Sequence, residues 1–245
     1  MVHGSIMILQ IYGTERAIDD CLSMSGAWPE KFQPVYFGTS ENRVNKSRDR
    51  CSDLTLFERF KIENPLGYYL HSKSCVIDVK YSGYNSALFI EVKNKNAQIA
   101  VAELLRFFSH DGIHYAFACK WDEWRYKNGL VKSIGDSYVE NWVGRDFKKY
   151  LPSLYWLNLI PNTMFLDLNI DKSLLLGSCE SSVELPEGFN LLKMYKEPDD
   201  WMEYAPRLDS LCEDIDGIFS KWSIWDSVEN IEELDTYLFE VSKWK

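Results

Sequence analysis

The stretch VIDVKYSGYNSALFIEVKNKNAQIAVAELLRFFSHDGIHYAFAC, residues 76–119, decides the fold. Val76 to Tyr81 and Ala87 to Lys93 alternate apolar and polar residues, and the Ser82-Gly83-Tyr84-Asn85-Ser86 between them has turn composition, so the pair predicts a β-hairpin. Asn96 is placed to cap a helix whose apolar positions Ala97, Ala100, Val101, Leu104, Leu105 and Phe108 fall on one face. Asp111-Gly112 stops that helix, and His114 to Cys119 alternates again as a strand. Hairpin, helix and strand in that order predict an α+β fold, a mostly antiparallel sheet flanked by helices.

Upstream, the apolar run Ile6 to Tyr12 predicts a buried strand, and Gly13-Thr14 opens a helix through Ile18 and Leu22 that ends near Gly26. Thr39 to Asp53 has almost no apolar residue and several bases, which predicts a loop or an exposed helix. Downstream, Leu154 to Ile160 predicts a strand, and Met164, Phe165 and Leu168 a short helix after Pro161. Strands near Val183 and at Leu191 to Tyr195 are joined by the turn Pro186-Glu187-Gly188. Leu208, Leu211, Cys212, Ile215, Ile218, Phe219 and Trp222 then share a helical face, with Pro206 in its first turn. Ser227 is placed to cap a last helix through Val228, Ile231, Leu234, Leu238 and Val241, which completes C-terminal amphipathic helices. No linker or repeat interrupts the chain, so residues 1–245 are expected to form one composite domain with an acidic helical region at 197–245.

The 245 residues are 46% hydrophobic, enough to bury a sizeable core, which excludes an intrinsically disordered chain. The net charge of −10 argues against a protein that neutralises a nucleic-acid backbone. The charge is unevenly placed: from Glu197 to Glu240 there are 14 acids and two bases, a net −12, which leaves +2 for the rest of the chain. Such a segment is either a solvated helical face or a docking surface for a basic partner. Ile6 to Leu9 is broken at Gln10 and lacks the basic flank of a leader, no run has membrane-spanning length, and the six cysteines have no zinc or redox spacing. A cytoplasmic protein with reduced thiols is therefore expected.

One pattern could carry chemistry. Asp78 on the first hairpin strand, with Glu91-Val92-Lys93 on the second, fits a metal-dependent nuclease of restriction-endonuclease type, in which both carboxylates bind Mg²⁺ and the lysine polarises water or phosphate. A cross-strand ion pair on a wet face uses the same residues. His110 and His114 have metal-ligand spacing, but Gly112 interrupts the helix it needs. No glycine-rich phosphate loop and no serine-nucleophile elbow occur, so no cofactor is expected. Trp121-Asp122-Glu123-Trp124-Arg125-Tyr126-Lys127 interleaves rings with charges; an amphipathic turn packed on the core produces that pattern, as does a carbohydrate-binding or scaffolding surface.

Val143-Gly144-Arg145-Asp146, then Tyr150-Leu151-Pro152-Ser153-Leu154-Tyr155-Trp156-Leu157-Asn158, the Glu-Leu-Pro-Glu-Gly turn at 184–188 and Tyr195-Lys196-Glu197-Pro198 together give a further clue. In order and spacing this set resembles bacterial immunity proteins encoded beside polymorphic or type VI secreted toxins, the immunity protein 52-like group. The likeness runs roughly from 95 to Trp201 and departs at Ser153, where that pattern has glycine; the N-terminal third carries no match. The resemblance implies a cytoplasmic protein without catalytic residues, cofactor or metal. It would bind a cognate toxin and block its active site or substrate access, with no nucleic-acid or membrane partner. A toxin surface that meets nucleic acid is basic, which points to Asp209, Glu213, Asp216, Glu229, Glu232 and Glu233 as the contact residues. Arg145 and Trp156 are expected to be structural, pinning a loop and filling the core.

Overall fold

The computed structural model describes residues 6–41, 49–92, 97–185 and 187–245. In chain order the N-terminal part forms β1 (Met7–Gly13), α1 (Glu15–Ser23), β2 (Tyr36–Gly38), α2 (Leu54–Glu63), β3 (Gly67–His71), β4 (Cys75–Lys80) and β5 (Ser86–Val92). The middle forms α3 (Gln98–Arg106), β6 (Ile113–Lys120), α4 (Trp121–Asn128), β7 (Gly129–Ile134), β8 (Ser137–Trp142) and β9 (Leu157–Pro161). Then come α5 (Asn162–Asp167), α6 (Lys172–Gly177), β10 (Ser181–Leu185), β11 (Phe189–Lys193), α7 (Trp201–Asp214), α8 (Lys221–Val228) and α9 (Leu234–Ser242). The fold is α+β, a large antiparallel sheet flanked by helices, with helices at the C-terminal end.

The nine-stranded sheet has the order β10-β11-β9-β6-β1-β5-β4-β3-β2, and every pairing of named strands in it is antiparallel. β1 lies between β5 and β6 and is covered on both faces, which is why it is a nearly continuous apolar run rather than an alternating one. β5 and β6 both run antiparallel to β1 and hence parallel to each other, so α3 must cross over the central strand to join them.

Register assigns the faces. Leu9, Ile11, Ile77, Val79, Leu88 and Ile90 share one face and are all buried with Ala17, Ile18 and Cys21 of α1 and Val101, Leu104 and Leu105 of α3. On the opposite face the 143–156 segment covers the middle of the sheet, with Tyr155 stacked on Phe117 at 3.9 Å and Phe147 against Tyr12 at 4.4 Å. Further out, Phe89, Glu91, Asp78 and Tyr69 on that face are only half-buried and Lys80 is exposed. A second, smaller core joins Leu130, Ile134 and Val143, from β7 and the end of the hairpin, to Ile224, Val228, Tyr237 and Val241 of α8 and α9.

Several boundaries differ from the sequence pattern. The C-terminal region is three helices, not two. Ile215 to Ser220 is not helical: Asp216 and Gly217 make a turn, Leu151 N donates to Gly217 O, Phe219 N donates to Leu151 O, and Leu151 bridges Ile218. Gly217, at φ +79°, passes so close to Leu168 O that a Cβ would lie 2.2 Å from it. The apolar spacing therefore continues across a break made by a distant partner. Ser220 caps α8, Ser227 lies inside it, and α9 begins after Glu233. Pro206 sits within α7, because the helix begins five residues earlier at Trp201. The strand expected from Leu154 starts at Leu157. Of the remaining expectations, Lys93, Asn96 and Pro186 lie outside the described residues, as does 42–48 of the Thr39–Asp53 segment. β2, β3, α2, α6 and the β7–β8 hairpin have no counterpart in the sequence pattern.

Candidate functional site

α7, α8 and α9 carry the acidic charge. Glu213, Asp216, Glu229, Glu232 and Glu233 are exposed, and Asp209 is half-buried. Among the described residues none of the six forms an ion pair, whereas Asp199 pairs with Lys120 at 2.5 Å and Glu240 with Lys243 at 2.6 Å. Among the described residues neither of the two bases within the segment forms an ion pair with an acid. Lys221 is drawn inward, donating to Tyr126 O and lying 4.3 Å from that ring's centroid, and burial pushes its ammonium pKa down. Arg207 donates to Ser178 O at 2.6 Å.

The six acids fall into two groups, with Asp216, just past the end of α7, joining Asp209 and Glu213 in the first. Asp209 and Glu213, one turn apart on α7, meet the start of α8, where Trp222 Nε1 and Tyr126 OH donate to Asp209 at 2.9 and 2.7 Å and Ser220 Oγ donates to Glu213 at 3.5 Å. Asp209 thus spends its carboxylate on joining two helices and α4. Glu229, Glu232 and Glu233 cluster at the other end of α8, about 12 Å away along the helix. Lys132 on β7 holds that turn: its Nζ donates to the carbonyls of Val228, Glu229 and Ile231 at 2.5, 2.7 and 2.7 Å. An ammonium at a helix C-terminus satisfies orphan carbonyls there, and the three carboxylates remain in solvent.

Asp78 and Glu91 lie on the same face of adjacent strands. Asp78 is opposite Phe89 and Glu91 opposite Val76, so the two acids are diagonal neighbours. Asp78 pairs with Lys80 at 2.9 Å. Lys93, the third member of the pattern, lies outside the described residues, and among these no group of three His, Cys, Asp or Glu is arranged to hold a metal ion. His110 Nδ1 is 2.9 Å from Asp111 O, and burial lowers the pKa of His114.

The Trp121–Lys127 cluster is α4, and it packs on the core. Trp124 stacks on Trp142 at 4.2 Å, Trp121 lies 4.9 Å from Trp124, and Phe89 meets Trp124 edge-on at 6.2 Å. The inner side of α4 carries charge: Glu123 and Lys127 are wholly buried, 3.9 Å apart. Tyr195 OH donates to Glu123 Oε2 at 2.5 Å, Lys127 Nζ donates to Leu154 O at 2.5 Å, and Glu123 Oε1 is buried with no hydrogen bond. Burial raises the Glu123 carboxyl from 4.5 to about 7, a larger effect than the lowering by Lys127. The i, i+4 spacing of the pair suits an exposed helix face equally well, so nothing in the sequence marks it as buried.

Trp156 is 3% exposed and fills the core as expected. Arg145 is exposed, with its guanidinium 5.6 Å from the Trp124 ring centroid, and it pins no loop by a side-chain hydrogen bond among the described residues. Ser153 has φ 158°, nearly extended, so a serine is accommodated where the immunity-protein pattern has glycine. All six cysteines are free thiols, and among the described residues no helix is long and apolar enough to cross a membrane. No family model matches the chain, and no curated protein or solved structure matches it either.

Proposed function

We propose that this chain is a cytoplasmic immunity protein that binds a cognate secreted toxin of a polymorphic or type VI system and occludes its active site or substrate access. The observation that carries the proposal is the uncompensated acidic face. Six carboxylates, two on α7 and four in the connections that join α7, α8 and α9, form no ion pair among the described residues, in a segment whose own two bases are tied to backbone carbonyls. A surface with that much unneutralised charge repels itself and gains most when a basic surface covers it. Trp222, 37% exposed and fixed by Asp209, stands on the same face and supplies the kind of aromatic anchor that dominates binding energy. Glu229, Glu232 and Glu233 are the first contacts, and Glu213 and Asp216 the second group.

The test is binding of the purified chain to the toxin encoded beside it, measured over a range of salt. Association should slow steeply as salt rises, and reversing Glu229, Glu232 and Glu233 to Lys should slow it about tenfold or more. Tight binding with no salt dependence and no response to the reversal would move the interface away from these helices.

A further inference from the structure

We propose that the open half of the large sheet, together with the Gly144–Lys148 loop, is a binding site for a small planar organic anion, an aromatic or heteroaromatic ring bearing a phosphate or carboxylate, with Arg145 as the group that receives the anion. The cleft between them has a volume of about 800 Å³, within the range of small-molecule sites.

Its charge opposes that of the protein. Lys80, Arg145, Lys148 and Lys245 line it with only Asp78 and Asp146, and each acid already has a cation: Asp78 has Lys80 at 2.9 Å and Asp146 has Lys149 at 2.8 Å. Lys245 is held by Asn141 Oδ1 at 2.9 Å. Arg145 makes no ion pair and no side-chain hydrogen bond among the described residues, so its five donors are uncommitted and its fork suits an anionic oxygen pair. A positive cleft on a protein of net −10 is a local arrangement that the overall charge does not produce.

The walls favour a ring. Trp124 is fixed by its stack with Trp142 and carries Arg145 over its face, Phe89 lies edge-on to it, and Tyr12, which also lines the cleft, packs against Phe147. Trp124 and Phe147 are 6% and 7% exposed, so the half-buried Tyr12 and Phe89 and the plane of the Arg145 guanidinium are the surfaces on which a ring would pack, and because the rings hold one another that packing costs little side-chain ordering. At the floor Gln10, 4% exposed, accepts the Tyr12 hydroxyl on its carbonyl oxygen, which leaves its amide nitrogen as a donor for a ring heteroatom or hydroxyl.

The site is independent of the acidic face, and the experiment separates the two. The full chain is titrated calorimetrically with AMP, GMP and 4-hydroxybenzoate as ring-bearing anions, and with adenosine and inorganic phosphate as the separated halves. At least one ring-bearing anion should bind with a dissociation constant below about 1 mM and more tightly than either half. Arg145→Leu should weaken it tenfold or more, and Arg145→Lys, which keeps the charge but loses the fork, by less. The nucleotides and the hydroxybenzoate distinguish a phosphate head from a carboxylate head. Reversal of Glu229, Glu232 and Glu233 to Lys should leave this binding unchanged. Failure of all three ring-bearing anions, equal binding of the halves, or binding that survives Arg145→Leu would overturn the proposal.

Discussion

Replacing Glu123 by Gln should make the stability difference from wild type depend on pH in a defined direction. Burial raises this carboxyl from 4.5 to about 7 in the folded protein, against the pull of Lys127 3.9 Å away. In the unfolded chain it titrates near its ordinary value. Between the two values the folded state keeps a proton that the unfolded state has released, so stability falls as pH rises. The contribution of the neutral carboxyl is complete below the unfolded value and is lost by about pH 7. At about 1.4 kcal/mol per pH unit over about two and a half units, the loss is about 3 kcal/mol, with no discount for solvent because the side chain is wholly buried. Glutamine has the same shape, still accepts the Tyr195 hydroxyl and carries no proton to lose. Wild-type stability minus that of Glu123→Gln should therefore drop by about 3 kcal/mol between about pH 4.5 and about pH 7.5 in urea unfolding of both proteins. A difference that stays constant, or that grows with pH, would show that Lys127 rather than burial governs this carboxylate.

Lys132→Met removes three charge-assisted hydrogen bonds from the end of α8 and should cost about 2 kcal/mol in urea unfolding; a loss below about 0.5 kcal/mol would mean that water replaces the ammonium freely. Because the same contacts hold the Glu229–Glu233 turn, Lys132→Met should also weaken toxin binding although it makes the protein more acidic, and an increase in affinity would contradict this. Gly217→Ala combines a positive φ with a Cβ 2.2 Å from Leu168 O and should destabilise by at least about 2 kcal/mol in thermal melts. Gly26→Ala, with nothing within 4 Å of the added carbon, should be close to neutral and serves as its control.

The sheet was legible where one strand face is buried and the other wet, because such strands alternate and the helix between them keeps its own period. That holds for β5, which alternates without exception, in part for β4, and for the helical period of α3; β6 is buried at every position but His114, so its alternation lies in residue type and not in exposure. β8 has almost no buried residue, so Ser137–Trp142 lacks the apolar signal by which strands are recognised. The joint between α7 and α8 is invisible locally, since Ile215, Ile218 and Phe219 satisfy a helical period while the break is set by Leu151, more than 60 residues earlier. At the candidate site the charge of the segment could be read directly from composition. That Asp209 is committed to Tyr126 and Trp222 depends on which helices meet, as does the positive cleft around Arg145.

The central claim is tested most directly by growth of cells that express the toxin encoded beside this chain, with and without the chain itself. Co-expression of the wild-type protein should restore growth, and the variant with Glu229, Glu232 and Glu233 reversed to Lys should restore it less well at equal abundance. Cells that stay inhibited although the wild-type chain is folded and abundant would contradict the proposed immunity function.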